Sequence, residues 1–293
     1  MPAGPRTSTP VSAPVSAPVS APHPVPALPR GQPRPRRPVL AARPPRWWQE
    51  LLGGAIAYGL YGVVRNGAPA RRDAALAWAS DVLDIERTLH VAVERAVNQA
   101  VASVKWLALG VNYYYATLHF IVTIGVLGWL YRRHPRRYRG LRAVLCTTSL
   151  LALIGFWAFP LAPPRMLPAA GFVDTVVVFH TWGSWASGDI AAASNQLAAM
   201  PSLHFAWSLW CGLVLLRLAS RRVVRLAGAL YPLVTLAVII GTANHFLLDA
   251  VGGGAVLLVG FGLQRLLFRR PAFGPSPPAY PSRGQPVSIG QLG

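Results

Sequence analysis

The sequence predicts an all-α polytopic membrane protein, a bundle of six transmembrane helices joined by an amphipathic helix. Of its 293 residues 53% are hydrophobic and 13% charged, with a mean hydropathy of +0.38, a balance foreign to soluble domains. Six apolar segments approach the ~20 residues that cross about 30 Å of hydrocarbon at 1.5 Å per residue. The net charge is +19, and all but one of the 28 cations are arginine. A soluble nucleic-acid binder can share that charge but not the long apolar runs, so nucleic acid is excluded as a partner.

Residues 1–46 hold 14 of the 28 prolines and three copies of Val-Ser-Ala-Pro between Val11 and Pro22, which predicts a disordered arm. No apolar run follows its charges before Trp47, so it lacks the anatomy of a cleavable signal peptide. The expected spans are 47–65, 106–131, 143–160, 201–219, 223–243 and 246–268. In 69–103, Leu76, Leu83, Ile85, Leu89, Val93 and Val97 alternate with Asp73, Asp81, Asp84, Glu86 and Glu94, as in a helix lying on the membrane or bundle. Residues 271–293, with six prolines, form a second disordered tail, leaving 47–270 as the folded domain. Cys146 and Cys211 both sit in apolar runs, which excludes a disulfide framework or structural zinc site.

Orientation follows from the cations, which are retained on the cytoplasmic side. With the N-terminus inside, 21 cations are cytoplasmic and 7 external, while eight of the nine acids fall on or near the outer side. Both termini are therefore expected inside a bacterial-type plasma membrane. The arginine clusters read as juxtamembrane contacts to anionic lipid.

Ionisable groups at apolar helix ends are where chemistry is sought, because charge in a bilayer is costly. Three segments qualify: Pro163-Pro164-Arg165-Met166-Leu167-Pro168, Met200-Pro201-Ser202-Leu203-His204 and Asn244-His245-Phe246-Leu247-Leu248-Asp249. The predicted topology puts all three at the outer face. Pro201 suits the first turn of a helix, whose free N–H groups and dipole favour an anion. If the helix runs through the last junction, His245 and Asp249 share one face at i and i+4, and the carboxylate fixes the imidazole tautomer. An Arg, two His, an Asp and a helix N-terminus make a phosphate site with a nucleophile and an acid.

These residues resemble the type 2 phosphatidic acid phosphatase superfamily, and within it a branch that looks like fungal inositol phosphorylceramide synthase. The family's Pro-Ser-Gly-His motif corresponds to Pro201-Ser202-Leu203-His204, its His-x-x-x-Asp to His245 and Asp249, and its Arg-Pro to Arg165 within Pro-Pro-Arg. The resemblance covers about 104–268 and implies the fold shared with haloperoxidases. It implies that His245 attacks phosphorus to form a phosphohistidine, that Asp249 orients it, and that His204 protonates the departing alkoxide. Arg165, Ser202 and backbone N–H groups at the start of the fourth span would hold the phosphoryl oxygens. The implied partners are a membrane lipid with a phosphorylated headgroup and an alcohol or water acceptor, with no cofactor or metal. Two family positions depart: the first motif's lysine falls on Ala158, and the third motif's Ser-Arg on Val238 and Ile239.

Asn112 and Tyr115, near the outer end of the second span, are candidates for lining a headgroup pocket. His119 lies about 13 residues, ~20 Å, into that span and is expected to be a packed polar residue too deep for the site if the helix is straight. Asp174, His180, Trp182 and Trp185 occupy a long outer loop suited to covering the site. Three classes stay open on sequence: a lipid phosphatase or phosphotransferase, a transporter, and a catalytically degenerate scaffold.

Overall fold

The computed structural model describes residues 46–67, 71–181 and 196–274, with Met1 and Gly4. Almost all of the proline-rich arm, the tail from 275 onward, and Trp182 and Trp185 lie outside the described residues. The helices are α1 (Trp47–Asn66), α2 (Arg72–Thr88), α3 (Glu94–Ala102), α4 (Lys105–Arg133), α5 (Pro135–Ala158), α6 (Thr175–Val178), α7 (Leu203–Leu218), α8 (Arg222–Gly241) and α9 (Leu247–Phe268). Among the described residues there is no strand, and one isolated parallel bridge joins Leu161 and Ala198.

Among the described residues, four helices are long and apolar enough to cross a membrane: α4, α5, α8 and α9. The expected count of six also requires α1, weakened by Gln49, Glu50 and four glycines, and α7. With 16 residues, α7 is about 24 Å long at 1.5 Å per residue. α5 starts earlier than expected because Pro135 takes its first position, where the missing N–H costs nothing.

The expected amphipathic helix is two helices. The chain turns at His90, whose φ is 58°, so α2 and α3 are separate. Their buried faces also differ from the sequence pattern. Ala75, Ala79, Val82, Leu83 and Glu86 of α2 and Glu94, Asn98 and Val101 of α3 are buried, whereas Ile85, Leu89 and Val93 are exposed. Small alanines let α2 approach the bundle, and polar groups at its far end need the glutamates as acceptors, as described below.

α1 runs along α5. Glu50 accepts from Tyr138 Oη (2.6 Å) and from Arg142 at one end, and Trp157 Nε1 donates to the Val64 carbonyl (2.8 Å) at the other. One apolar cluster unites α4, α5, α7 and α9 around Leu130, Leu141, Trp210, Val214 and Leu257. A second gathers α2 with Leu161, Ala162, Phe172, Leu197, Ala243 and Phe246. This second cluster floors the segments that carry the candidate site.

Helix approach depends on glycine at two places. A Cβ on Gly212 would lie 2.5 Å from the Gly228 carbonyl oxygen, and one on Gly253 would lie 2.4 Å from that of Ser202. Both obstacles are backbone and cannot rotate away. Gly253→Val is therefore expected to cost about 2 kcal/mol by overpacking and to part α9 from the start of α7. A thermal melt in detergent together with turnover checks this, and an unchanged melt with full activity would contradict it.

Candidate active site

Backbone hydrogen bonds draw the three motif segments together. Leu161 N donates to Leu197 O (2.9 Å) and Ala199 N to Leu161 O (3.2 Å), laying the stretch before Arg165 beside the stretch before Ser202. Arg165 N donates to Ala243 O (3.0 Å), and Ser202 N to Asp249 O (2.9 Å). Each motif thus touches another through main chain, which fixes separation more rigidly than side chains do.

Ser202 is the N-cap of α7: its Oγ accepts from Phe205 N (3.4 Å), and its backbone is extended. Serine is favoured there because it supplies an acceptor for a first-turn N–H. Pro201, expected inside the first turn, lies two residues before the helix, next to the N-cap. His204 is the second residue of α7.

The helix does not continue through the last junction, contrary to the condition set by the sequence reading. α8 ends at Gly241, Ala243 has φ 51°, and α9 starts at Leu247. His245 therefore precedes the helix. Its Nδ1 still meets Asp249 Oδ2 at 3.3 Å, because Asp249 folds back to accept from Phe246 N (2.9 Å). The carboxylate holds the proton on Nδ1, leaving Nε2 as the lone-pair nitrogen. His245 and Asp249 are buried, and His245 Nε2 has no hydrogen-bond partner among the described residues.

The His204 and His245 rings are 5.8 Å apart between centroids. Tyr115 stacks on His204 at 4.1 Å and 18°, and lies 6.3 Å from His245. His119 is also here, its ring 4.1 Å from that of His204, which corrects its expected remoteness. Residues Tyr114–Leu118, just before it, form a π-helical turn, a local irregularity often found at functional sites. His119 remains packed and buried, with Nδ1 on the Tyr115 carbonyl (3.0 Å).

Arg165 is held between the segments. Nε donates to Asn244 Oδ1 (2.9 Å), and Nη1 reaches Gln196 Oε1 (3.3 Å) and Asp174 Oδ2 (3.4 Å). Asp174 also caps α6 through Val176 N and Val177 N. Asn244 Nδ2 is buried without an acceptor among the described residues. Its orientation is set by the bond its oxygen receives from Arg165. Asn112 bonds elsewhere: Thr175 Oγ1 donates to its Oδ1 (2.8 Å) and its Nδ2 to Thr181 Oγ1 (3.2 Å), fastening α4 to the connection between α5 and α7. Val238 and Ile239, in place of the family's Ser-Arg, are buried in the apolar core, whereas Ala158 closes α5.

Sequence reasoning missed Asn244, His119 and two glutamates. Glu94 Oε1 accepts from Leu247 N (2.9 Å) and Glu86 Oε1 from Leu248 N (2.7 Å), both at the start of α9 and both fully buried. The available signal was an acid placed at i and i+4 from small or polar residues, Glu86 with Val82 and Glu94 with Asn98. Among the described residues, no group of three or more His, Cys, Asp or Glu is arranged to hold a metal ion.

The fold and this cluster define an all-helical integral membrane protein with a buried histidine–carboxylate pair facing a second histidine. A family model described as the PAP2 superfamily matches residues 80–263, well over half of the chain, and the chain belongs to that superfamily. Membership carries a phosphatase-type, lipid-related function. No curated protein and no solved structure matches the chain.

Proposed function

We propose that the protein is a membrane lipid phosphatase or phosphotransferase working through a phosphohistidine at His245, on the extracytoplasmic face of a six-span bundle with both termini inside. One observation carries the reading: His245 has Nδ1 on Asp249 and a buried, unpartnered Nε2 among the described residues, with the His204 ring 5.8 Å away. A nucleophile about 3 Å from phosphorus and an acid about 3 Å from the leaving oxygen need roughly this separation.

In the forward step His245 Nε2 forms the N–P bond as the P–O bond to the lipid alkoxide breaks, and His204 delivers a proton to that oxygen. Asp249 stabilises the charge left on the imidazole. Arg165, Asn244 Nδ2, Ser202 and the first N–H groups of α7 are the donors proposed for the phosphoryl oxygens. Water or an alcohol then cleaves N–P, with His204 taking the proton from the acceptor. An alcohol acceptor in place of water makes the enzyme a phosphotransferase, as in the inositol phosphorylceramide synthase-like branch, which the missing Lys and Ser-Arg positions favour.

The test is purified protein in detergent with a panel of labelled phospholipids, with and without inositol and with chelator present, followed by product chromatography. Release of phosphate or formation of a phosphoinositol product, insensitive to chelation, supports the reading. No product from any lipid favours the degenerate scaffold. For orientation, a reporter after Arg270 should report cytoplasm and one near Gly188 the exterior. An external signal at Arg270 would reverse the assignment.

A further inference from the structure

Three successive backbone N–H groups follow His245, and each donates to a carboxylate. Phe246 N meets Asp249 Oδ2 (2.9 Å), Leu247 N meets Glu94 Oε1 (2.9 Å), and Leu248 N meets Glu86 Oε1 (2.7 Å). The carboxylates come from α9, α3 and α2, and all three are fully buried. First-turn amides have no acceptor within their own helix, and one local cap residue ordinarily serves them. Here two acceptors arrive from 153 and 162 residues away in the chain. Burying carboxylates is costly without compensation, so their presence calls for a role, and the positive end of a helix lowers that cost.

We infer that Glu86 and Glu94 are positioning residues for the phosphoryl-transfer site, clamping the first turn of α9 so that His245, two residues before it, is held at its spacing from His204. The inference rests on the reading of His245 as nucleophile given above. Without the clamp, Asp249 alone among the described side chains accepts from the amides at the start of α9, and Asp249 must also orient the imidazole.

The two glutamates also act on one another. Burial, reinforced by neighbouring Glu94 and Asp249 and opposed by the Leu248 N–H, pushes the Glu86 carboxyl up to about 8. Two adjacent buried carboxyls do not both ionise readily. Glu86 Oε2 and Glu94 Oε2 have no hydrogen-bond partner among the described residues, and a proton held on Glu86 would give the pair a donor. A glutamine at 86 reproduces that arrangement, with its oxygen accepting from Leu248 N and its NH2 donating to Glu94.

The experiment uses the full chain in detergent with Glu86→Gln, Glu94→Gln, Glu94→Asp and Glu94→Leu, reading kcat, KM and hydrogen exchange of the 245–250 peptide. Both Gln variants keep the acceptor oxygen and are expected within about threefold of wild-type kcat, with wild-type exchange. Asp withdraws the oxygen by one methylene and Leu removes it. Their kcat is expected to fall about 10-fold and about 100-fold, with KM changed less than about twofold, and exchange to accelerate. Gln variants as impaired as Glu94→Leu, or a Leu variant with wild-type kcat and exchange, would overturn the clamp. If Glu94→Leu does not fold, the Gln and Asp variants decide, since equal behaviour of those two also overturns it. A wild type inactive on every phosphoester refutes the proposed chemistry alone. The exchange arm then still judges the clamp, which stands if Glu94→Asp exchanges faster and falls if it does not.

Discussion

His245→Ala is expected to abolish turnover of every phosphoester substrate, by at least about 10,000-fold in kcat. The loss follows from the scheme in which Nε2 is the atom that bonds to phosphorus. Without it no covalent intermediate forms, and water or inositol has nothing to cleave. The buried setting adds to the effect, because the alanine leaves Asp249 without its imidazole partner and creates a cavity beside Phe246, which is fully buried. Product chromatography under single-turnover conditions checks this, together with trapping of radiolabelled phosphate on acid-quenched wild type. Residual lipid turnover in the variant within tenfold of wild type would remove the phosphohistidine from the mechanism.

His204→Ala is expected to separate substrates by their leaving groups. An alkoxide leaves poorly without a proton, so lipid turnover should fall by about 100-fold to 10,000-fold. A nitrophenolate needs little protonation, and turnover of nitrophenyl phosphate should stay within about tenfold of wild type. The same variant removes a ring that Tyr115 stacks on and that His119 touches, so a thermal melt accompanies the kinetics. Equal losses on the two substrates would take the acid role from His204. A large loss on both with a lowered melt would mean that the residue supports the packing of α4 against α7.

Much of this architecture was readable from residues alone, for identifiable reasons. Long apolar runs mark α4, α5, α8 and α9, since a span must satisfy its backbone internally and bury no charge. The Pro-Ser-x-His and His-x-x-x-Asp spacings marked His204, His245 and Asp249, and the structure brings these together with Arg165 and Tyr115. Glu86 and Glu94 escaped because alternation among Leu, Ile and Val assigns them to a polar face. What buries them is the set of orphan amides on a helix 150 residues later, which local periodicity does not register. His119 escaped because its depth was counted from the outer end of the span, whereas the His204 ring lies at its own level, 4.1 Å away. Asn244 was quoted with its neighbours yet received no role, since its use depends on Arg165 arriving from a different segment.

The shortness of α7 has a further consequence. A helix of 16 residues covers about 24 Å, some 6 Å less than an average hydrocarbon layer. On the proposed six-span reading, in which α7 crosses the membrane, a segment that short must sink one end below the headgroups, draw the bilayer thinner around it, or both. The end that carries Ser202 and His204 is the start of this helix, so acyl-chain length in the host membrane sets how far a lipid phosphate must descend to meet them. Under the proposed chemistry, substrate reach is then governed by membrane thickness as well as by headgroup chemistry, and thin bilayers favour it.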